Sequence, residues 1–277
     1  MALFLSRVSF AAGIFSLVGI VFFGSAFTAD AGGVPLASHR AVYDLTLNKL
    51  FQEGGIQDVR GRIVMEMENQ CEGYVLNQRM LIELANLEGD VITSDFHLST
   101  WEDKAGNTMR FSMSNILNGQ PVEKSDGVAT MSDTEGSVSF KDEEPEKLTL
   151  PKGVLFPTAH TRKILQSAIE GKNLISAKIY DGNGHEGLQD SLTVIGKRQT
   201  AEAGMTKRNE MKGLPFWPVQ LAYFDLDGQT NEPDYEVSIS LYQNGVASDL
   251  TLKYKDFSLA GELVQLDFLE AADCSKH

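Results

Sequence analysis

The sequence predicts a mainly β domain carrying one helix, and three observations predict it. Apolar residues recur at every second position through most of the chain after residue 40, the period of a strand with one face in a core and the other in water. Turn-forming groups such as Glu53-Gly54-Gly55, Asn118-Gly119, Asp126-Gly127 and Asn244-Gly245 separate these runs at short intervals. One stretch, residues 158–170, has helical spacing instead.

Ahead of the domain, Arg7 precedes an uncharged stretch from Val8 to Phe23 and then small residues, the layout of a secretory signal peptide. A cut after Ala31 places Ala29 three positions before the bond, and a cut after Ala26 places Gly24 there; Ala31 is preferred. The stretch is shorter than the roughly 20 residues that span a bilayer, and no cysteine follows it closely enough to take a lipid. Cleavage leaves a single expected domain, residues 32–277, with no integral membrane segment.

The strands begin with Tyr43, Leu45 and Leu47 and continue with Ile63, Met65 and Met67, then Met80, Ile82 and Leu84, then Phe96 and Leu98, then Met109, Phe111 and Met113. They resume late in the chain with Val237, Ile239 and Leu241, then Leu250, Leu252 and Tyr254, and finally Val264, Leu266 and Phe268. About 12 to 14 strands, mostly antiparallel, fit the turn spacing. The helix follows Pro157, with Thr158 read as its N-cap and Gly171 as the residue after its last turn. Ile164, Leu165, Ala168 and Ile169 share one face with Thr161. One helix cannot cover so many strands, so the sheet curls into a barrel, an open or spiralled barrel, or a sandwich.

Charge and cysteines bound the function. Lys and Arg total 24 against 38 Asp and Glu, a net charge of −14, which repels nucleic-acid phosphates. Cys71 and Cys274 are the two cysteines; in an oxidising compartment such a pair reads as one disulfide. A CxxC redox motif is absent.

The search for chemistry is mostly negative. The five histidines, His39, His97, His160, His185 and His277, form no HxH or HExxH pattern. Asp181-Gly182-Asn183-Gly184-His185-Glu186 begins like a calcium loop but has Glu186 where glycine is required and Leu192 at the twelfth place, so it reads as a turn. GxSxG, P-loop and dinucleotide fingerprints are missing, and no cofactor is expected. His160 and Phe156 at the helix entry, Trp217 between two prolines, and Tyr223 remain as candidates for structural or binding roles.

Tyr43-Asp44-Leu45, the run from Leu150 to His160, Tyr180-Asp181-Gly182, Trp217-Pro218-Val219 with Tyr223-Phe224, and Pro233-Asp234-Tyr235-Glu236-Val237 with Leu241-Tyr242-Gln243-Asn244-Gly245-Val246 together resemble the EipB family of cell envelope integrity proteins. Cys71 and Cys274 fall where that family has paired cysteines. The resemblance implies a periplasmic protein with a spiral-like, incompletely closed antiparallel β-barrel, an internal disulfide, a role in the envelope under stress, and an architectural likeness to the LolA and LolB lipoprotein carriers. A periplasmic tetratricopeptide-repeat partner is a further expectation from the family, which carries no assigned catalytic residues.

Two functions of different class follow. One is a non-enzymatic protein that binds a lipid, lipoprotein or protein partner in or on its curved sheet, for which Met65, Met67, Met80, Met109 and Met113 supply adaptable apolar surface. The other is a hydrolase of envelope polymers using His160 with a nearby carboxylate such as Asp181.

Overall fold

The computed structural model describes residues 34–51, 55–141, 147–201, 211–226, 232–270 and 272–274; the expected signal peptide, residues 1–31, lies outside them. The first half of the domain is a meander: β1 (His39–Leu50), β2 (Ile56–Asn69), β3 (Gly73–Asn86), β4 (Val91–Asp103), β5 (Thr108–Leu117), β6 (Gln120–Met131), β7 (Gly136–Phe140) and β8 (Lys147–Leu150). The helix α1 (Pro157–Ile169) follows. The second half holds β9 (Leu174–Tyr180), β10 (Leu188–Ile195), the two-residue β11 (Gln199–Thr200), β12 (Pro215–Asp225), β13 (Tyr235–Tyr242), β14 (Ala247–Tyr254) and β15 (Phe257–Phe268).

All fifteen strands belong to one antiparallel sheet, ordered β8-β7-β6-β5-β4-β3-β2-β1-β15-β14-β13-β12-β10-β9, with β11 on β12. The sheet is a nearly closed barrel whose two edge strands, β8 and β9, leave a seam between them. Pairing of β1 with β15, for example Ala41 with Leu266 and Leu47 with Leu259, joins the two halves of the chain.

The seam is a lap joint. Tyr180 lies on the face of β9 that points out of the barrel, together with Leu174 and Ser176 by strand parity. Yet Tyr180 is fully buried, packed with Met109, Phe111, Ala129, Val138 and Leu150 from the inner face of β5–β8. One edge of the sheet therefore slides beneath the other. The segment after β8 fixes the overlap: the Leu155 N–H donates to the Lys178 carbonyl at 2.9 Å, and the Tyr180 N–H to the Leu155 carbonyl at 3.0 Å. Gly182 (φ +88°) closes the joint because a side chain there would press on Phe111.

The end of β12–β13 is likewise covered on both faces. Trp217, Val219, Leu221 and Leu241 pack in a cluster with Ile164, Leu165 and Ala168 of α1, whereas Phe216 and Tyr242 of opposite parity pack with Ala41, Tyr43, Leu45 and Leu266.

Helix α1 plugs the end of the barrel at which β1 begins. Its N-cap is Phe156, and no capping side chain comes from its own sequence. Thr158, read as the cap from the sequence, is instead one residue inside the helix behind Pro157. Its N–H and that of Ala159 donate to the carboxylate of Glu102 on β4, at 2.8 and 3.2 Å. Glu102 is 1% exposed; two helix N–H groups and the positive end of the helix dipole compensate the burial. Burial still raises its pKa, against those hydrogen bonds. Ile164, Leu165 and Ala168 face the core as expected, but Ile169 is exposed and Thr158, His160 and Ser167 take core positions.

Asp126-Gly127 is a correction to the turn reading. Both residues lie inside β6, and the Phe111 ring from β5 occupies the space a Cβ at Gly127 would need, 2.5 Å from its nearest atom. This glycine makes room for an aromatic ring across the ladder instead of turning the chain.

Candidate functional site

Side chains that point into the barrel divide by height. At the plugged end Leu76, Thr100, Trp217, Val219 and Leu241 are buried. Toward the other end of the same strands the inward positions stay apolar but are only half-buried: Met80 and Ile82 on β3, Phe96 and Leu98 on β4, Val237 and Ile239 on β13, Leu252 and Tyr254 on β14. Their outward neighbours Arg79, Asp95, Glu236 and Lys253 are polar and paired in Arg79–Asp95 and Lys253–Glu236 bridges. Val237 and Ile239 pack against the helix-side cluster and Met80, Ile82, Leu252 and Tyr254 against the cluster of Tyr43 and Phe216, and all keep accessible surface toward the end where β1 finishes.

A polar group lies beside these residues. Tyr223 and Tyr235 stack with ring centroids 4.6 Å apart, and the Tyr235 hydroxyl donates to Gln189 Oε1 at 3.2 Å. The charge of Asp181 acts on both tyrosines, and burial raises the pKa of each hydroxyl. The Asp181 carboxylate accepts from the Asn183 N–H at 2.9 Å, yet burial pushes its pKa up from 3.8 to about 6. The folded state thus holds the proton more tightly than the unfolded chain. The favourable contribution is complete below about pH 3.8 and is lost as pH rises through about 6. Asp181→Asn is accordingly expected to melt above wild type at neutral pH, the difference shrinking through pH 6 and vanishing in acid; a neutral-pH midpoint below wild type would contradict this placement.

The sequence-derived candidates separate in space and role. Tyr223 is half-buried on the inward face of β12, packed against the cluster of Trp217, Val219 and Leu221. Trp217 and Phe156 are core, the first against the helix and the second in the lap joint, where it is fully buried. His160 is 4% exposed, and its Nε2 has no hydrogen-bond partner. Burial, with help from the Lys163 charge, drives its pKa down to about 4. No hydrogen bond joins it to Asp181 among the described residues. Of the methionines, Met67, Met109 and Met113 are buried core, whereas Met65 and Met80 keep accessible surface.

Cys71 and Cys274 are joined, with Cα atoms 5.5 Å apart, so the β2–β3 turn holds the chain beyond β15. A cleft of about 480 Å³ beside the bond is lined by Glu68, Glu72 and Glu270. At this plugged end Lys104 lies over the Tyr74 ring, 3.9 Å from its centroid, and Arg162 of α1 donates to the Lys104 carbonyl at 3.0 Å, which ties the helix to the strands. Glu102 and the half-burial of the inward apolar residues toward one end are the features that strand reading did not reach. The parity of Phe96, Leu98 and Thr100 carries a signal for Glu102, since it puts that carboxylate on the core face.

Fold and site define a class: a helix-plugged, incompletely closed antiparallel β-barrel whose inward apolar residues stay half-buried toward one end. Comparison with known proteins gives the particular family. The family model described as EipB-like matches residues 30–270, and the chain belongs to that family. The cell envelope integrity protein EipB of Brucella abortus (strain 2308) is 33% identical over 264 residues, covering 92% of this chain and 93% of that protein. A solved Brucella abortus structure, described as a β-barrel-like protein of the domain of unknown function DUF1849, superposes with a TM-score of 0.79 at 32% identity, covering 86% of this chain and 100% of that one.

Proposed function

We propose that this chain maintains the cell envelope as a non-enzymatic periplasmic protein, exported by residues 1–31, and that it does so by holding a lipid or the acyl part of a lipoprotein in a chamber formed among its half-buried inward apolar residues. The observation that carries the reading is the half-buried apolar wall of Met80, Ile82, Phe96, Val237, Ile239 and Leu252, because apolar surface facing inward but open to solvent gains free energy when an apolar ligand covers it. The name of the Brucella relative supports the envelope role. Among the described residues no helix is long and apolar enough to cross a membrane. His160 cannot reach a substrate from inside the plug, so the hydrolase alternative has no observation in its favour.

Strand parity supplies the test. Met80 points into the chamber, and Leu81, its neighbour on β3, points out. Titration with the apolar fluorophore N-phenyl-1-naphthylamine is expected to saturate on wild type and on Leu81→Glu. Met80→Glu should weaken binding by about tenfold or more, since a carboxylate must then be desolvated. Equal binding by both variants, or none by wild type, would overturn the reading.

A further inference from the structure

Three tyrosines form a row across the inward face of adjacent strands. Tyr223 on β12 stands directly opposite Tyr235 on β13, and Tyr235 stands opposite Tyr254 on β14; residues opposite one another in a ladder project from the same face. The first two rings stack with an interplanar angle of 14°. Asp181 reaches the same place from the edge strand. It takes the next inward position after Ile179 at the end of β9, and its charge acts on both Tyr223 and Tyr235. Burial raises the pKa of all four groups, yet each keeps accessible surface. Groups shielded from bulk water that still have accessible surface face a space walled by protein.

Charge in that space is one-sided. The Asp181 carboxylate accepts from the backbone N–H of Asn183, and among the described residues no lysine or arginine charge acts on it. The cations of the adjoining strands lie on the opposite face and are already paired, Lys178 with Asp190 and Lys253 with Glu236. A carboxylate withdrawn from water without a counter-charge is costly, so a cation is the partner this space would stabilise most, and tyrosine rings attract one through their π faces. Among the described residues no three His, Cys, Asp or Glu side chains are grouped to hold a metal ion, which favours an organic cation. Deeper along β13 and β14 the inward face continues with half-buried Val237, Ile239 and Leu252, so the cation's own continuation is apolar.

We propose that Asp181, Tyr223, Tyr235 and Tyr254 form a binding site for the ammonium group of an amphiphile whose apolar chain lies along Val237, Ile239 and Leu252. The inference rests on the chamber reading and names its ligand class, an alkylammonium. It also gives the unpaired carboxylate a use that offsets its cost to stability.

Calorimetric titration of the purified protein at neutral pH with octylammonium and with octanol tests it, on wild type, Asp181→Asn, Tyr254→Leu and Asp133→Asn. The last removes one negative charge from the exposed β6–β7 turn and serves as the control. Wild type and Asp133→Asn are expected to bind octylammonium about tenfold or more tighter than octanol, and Asp181→Asn to bind the two alike. An asparagine oxygen can still accept the Asn183 N–H, and this variant is expected to melt above wild type, so its loss of preference is not loss of the fold. Tyr254→Leu should weaken octylammonium severalfold and leave octanol unchanged. Equal binding of both ligands by wild type, a preference that survives Asp181→Asn, or octylammonium binding untouched by Tyr254→Leu would each overturn the proposal. So would a preference lost equally in Asp133→Asn, which would make it bulk attraction to the net charge of −14. Dihexanoyl phosphatidylethanolamine against dihexanoyl phosphatidylglycerol decides the source: preference for the first upholds the site as one for ethanolamine lipids, and indifference with octylammonium still preferred upholds it for simple amines. N-phenyl-1-naphthylamine titration separates the two readings. Saturable fluorophore without ammonium preference overturns the site alone, and ammonium preference without fluorophore binding overturns the chamber alone.

Discussion

Cys71→Ser is expected to lower the thermal midpoint by about 10 °C. The bond closes a loop of 203 residues, for which chain entropy sets an upper value of about 5 kcal/mol and experience with native disulfides gives about 2–4. A domain of this size shifts by about 2–4 °C per kcal/mol. Geometry adds a second reason for a large effect. The β2–β3 turn that carries Cys71 is also where the Asn69 N–H donates to the Ser38 hydroxyl and Asn69 Nδ2 to the Leu36 carbonyl. The Leu269 N–H donates to the Ser38 carbonyl in the same place. The bond therefore fastens a point where both ends of the described domain meet the β2–β3 turn. Cys274→Ser should match Cys71→Ser, and the double variant should be no worse than either single one, because all three lack the same link. A single variant melting with wild type would contradict a structural role for the bond.

The second large effect is Phe156→Ala, expected to cost about 3–5 kcal/mol, the range for a fully buried phenylalanine. Phe156 is 0% exposed and stands at a crossing of three structural elements. It caps α1, it follows the Leu155 bridge that ties the segment after β8 to β9, and it packs with Phe111 and Tyr180 across the lap joint. Removing the ring leaves a void between the two edges of the sheet, which the stiff ladders on either side cannot collapse to fill. Phe156→Leu should lie between wild type and alanine. Denaturant unfolding measures this directly, and a loss under about 1 kcal/mol would mean that the overlap does not seal the seam.

The parts of the fold legible in sequence are those with one wet face and one dry face. Tyr43, Leu45 and Leu47 or Ile63, Met65 and Met67 announce their strands because outward positions stay polar. The helix is legible from its spacing and from Gly171, which follows its last turn at φ +78°. Legibility fails where two layers overlap. Tyr180 and Leu188 are opposite each other on the outward face of β9–β10, and Phe216 and Tyr242 on that of β12–β13, so burial on both sides erases the alternation. Glu102 stays hidden in Trp101-Glu102-Asp103, which reads as a solvated approach to a turn; only the arrival of α1 from residue 158 gives its carboxylate two donors. The half-buried inward face is the least legible feature, since periodicity identifies an apolar face but not whether anything covers it. Met67 and Met80 look alike in sequence, and the helix buries one while leaving the other open.

Mass spectrometry of the folded protein, purified gently from cells and sprayed under native conditions, tests the chamber most directly. Wild type should carry a phospholipid- or lipoprotein-sized mass that organic extraction removes, and Met80→Glu, folded and melting as a single transition, should carry much less. A wild-type spectrum containing only the bare polypeptide would contradict the account.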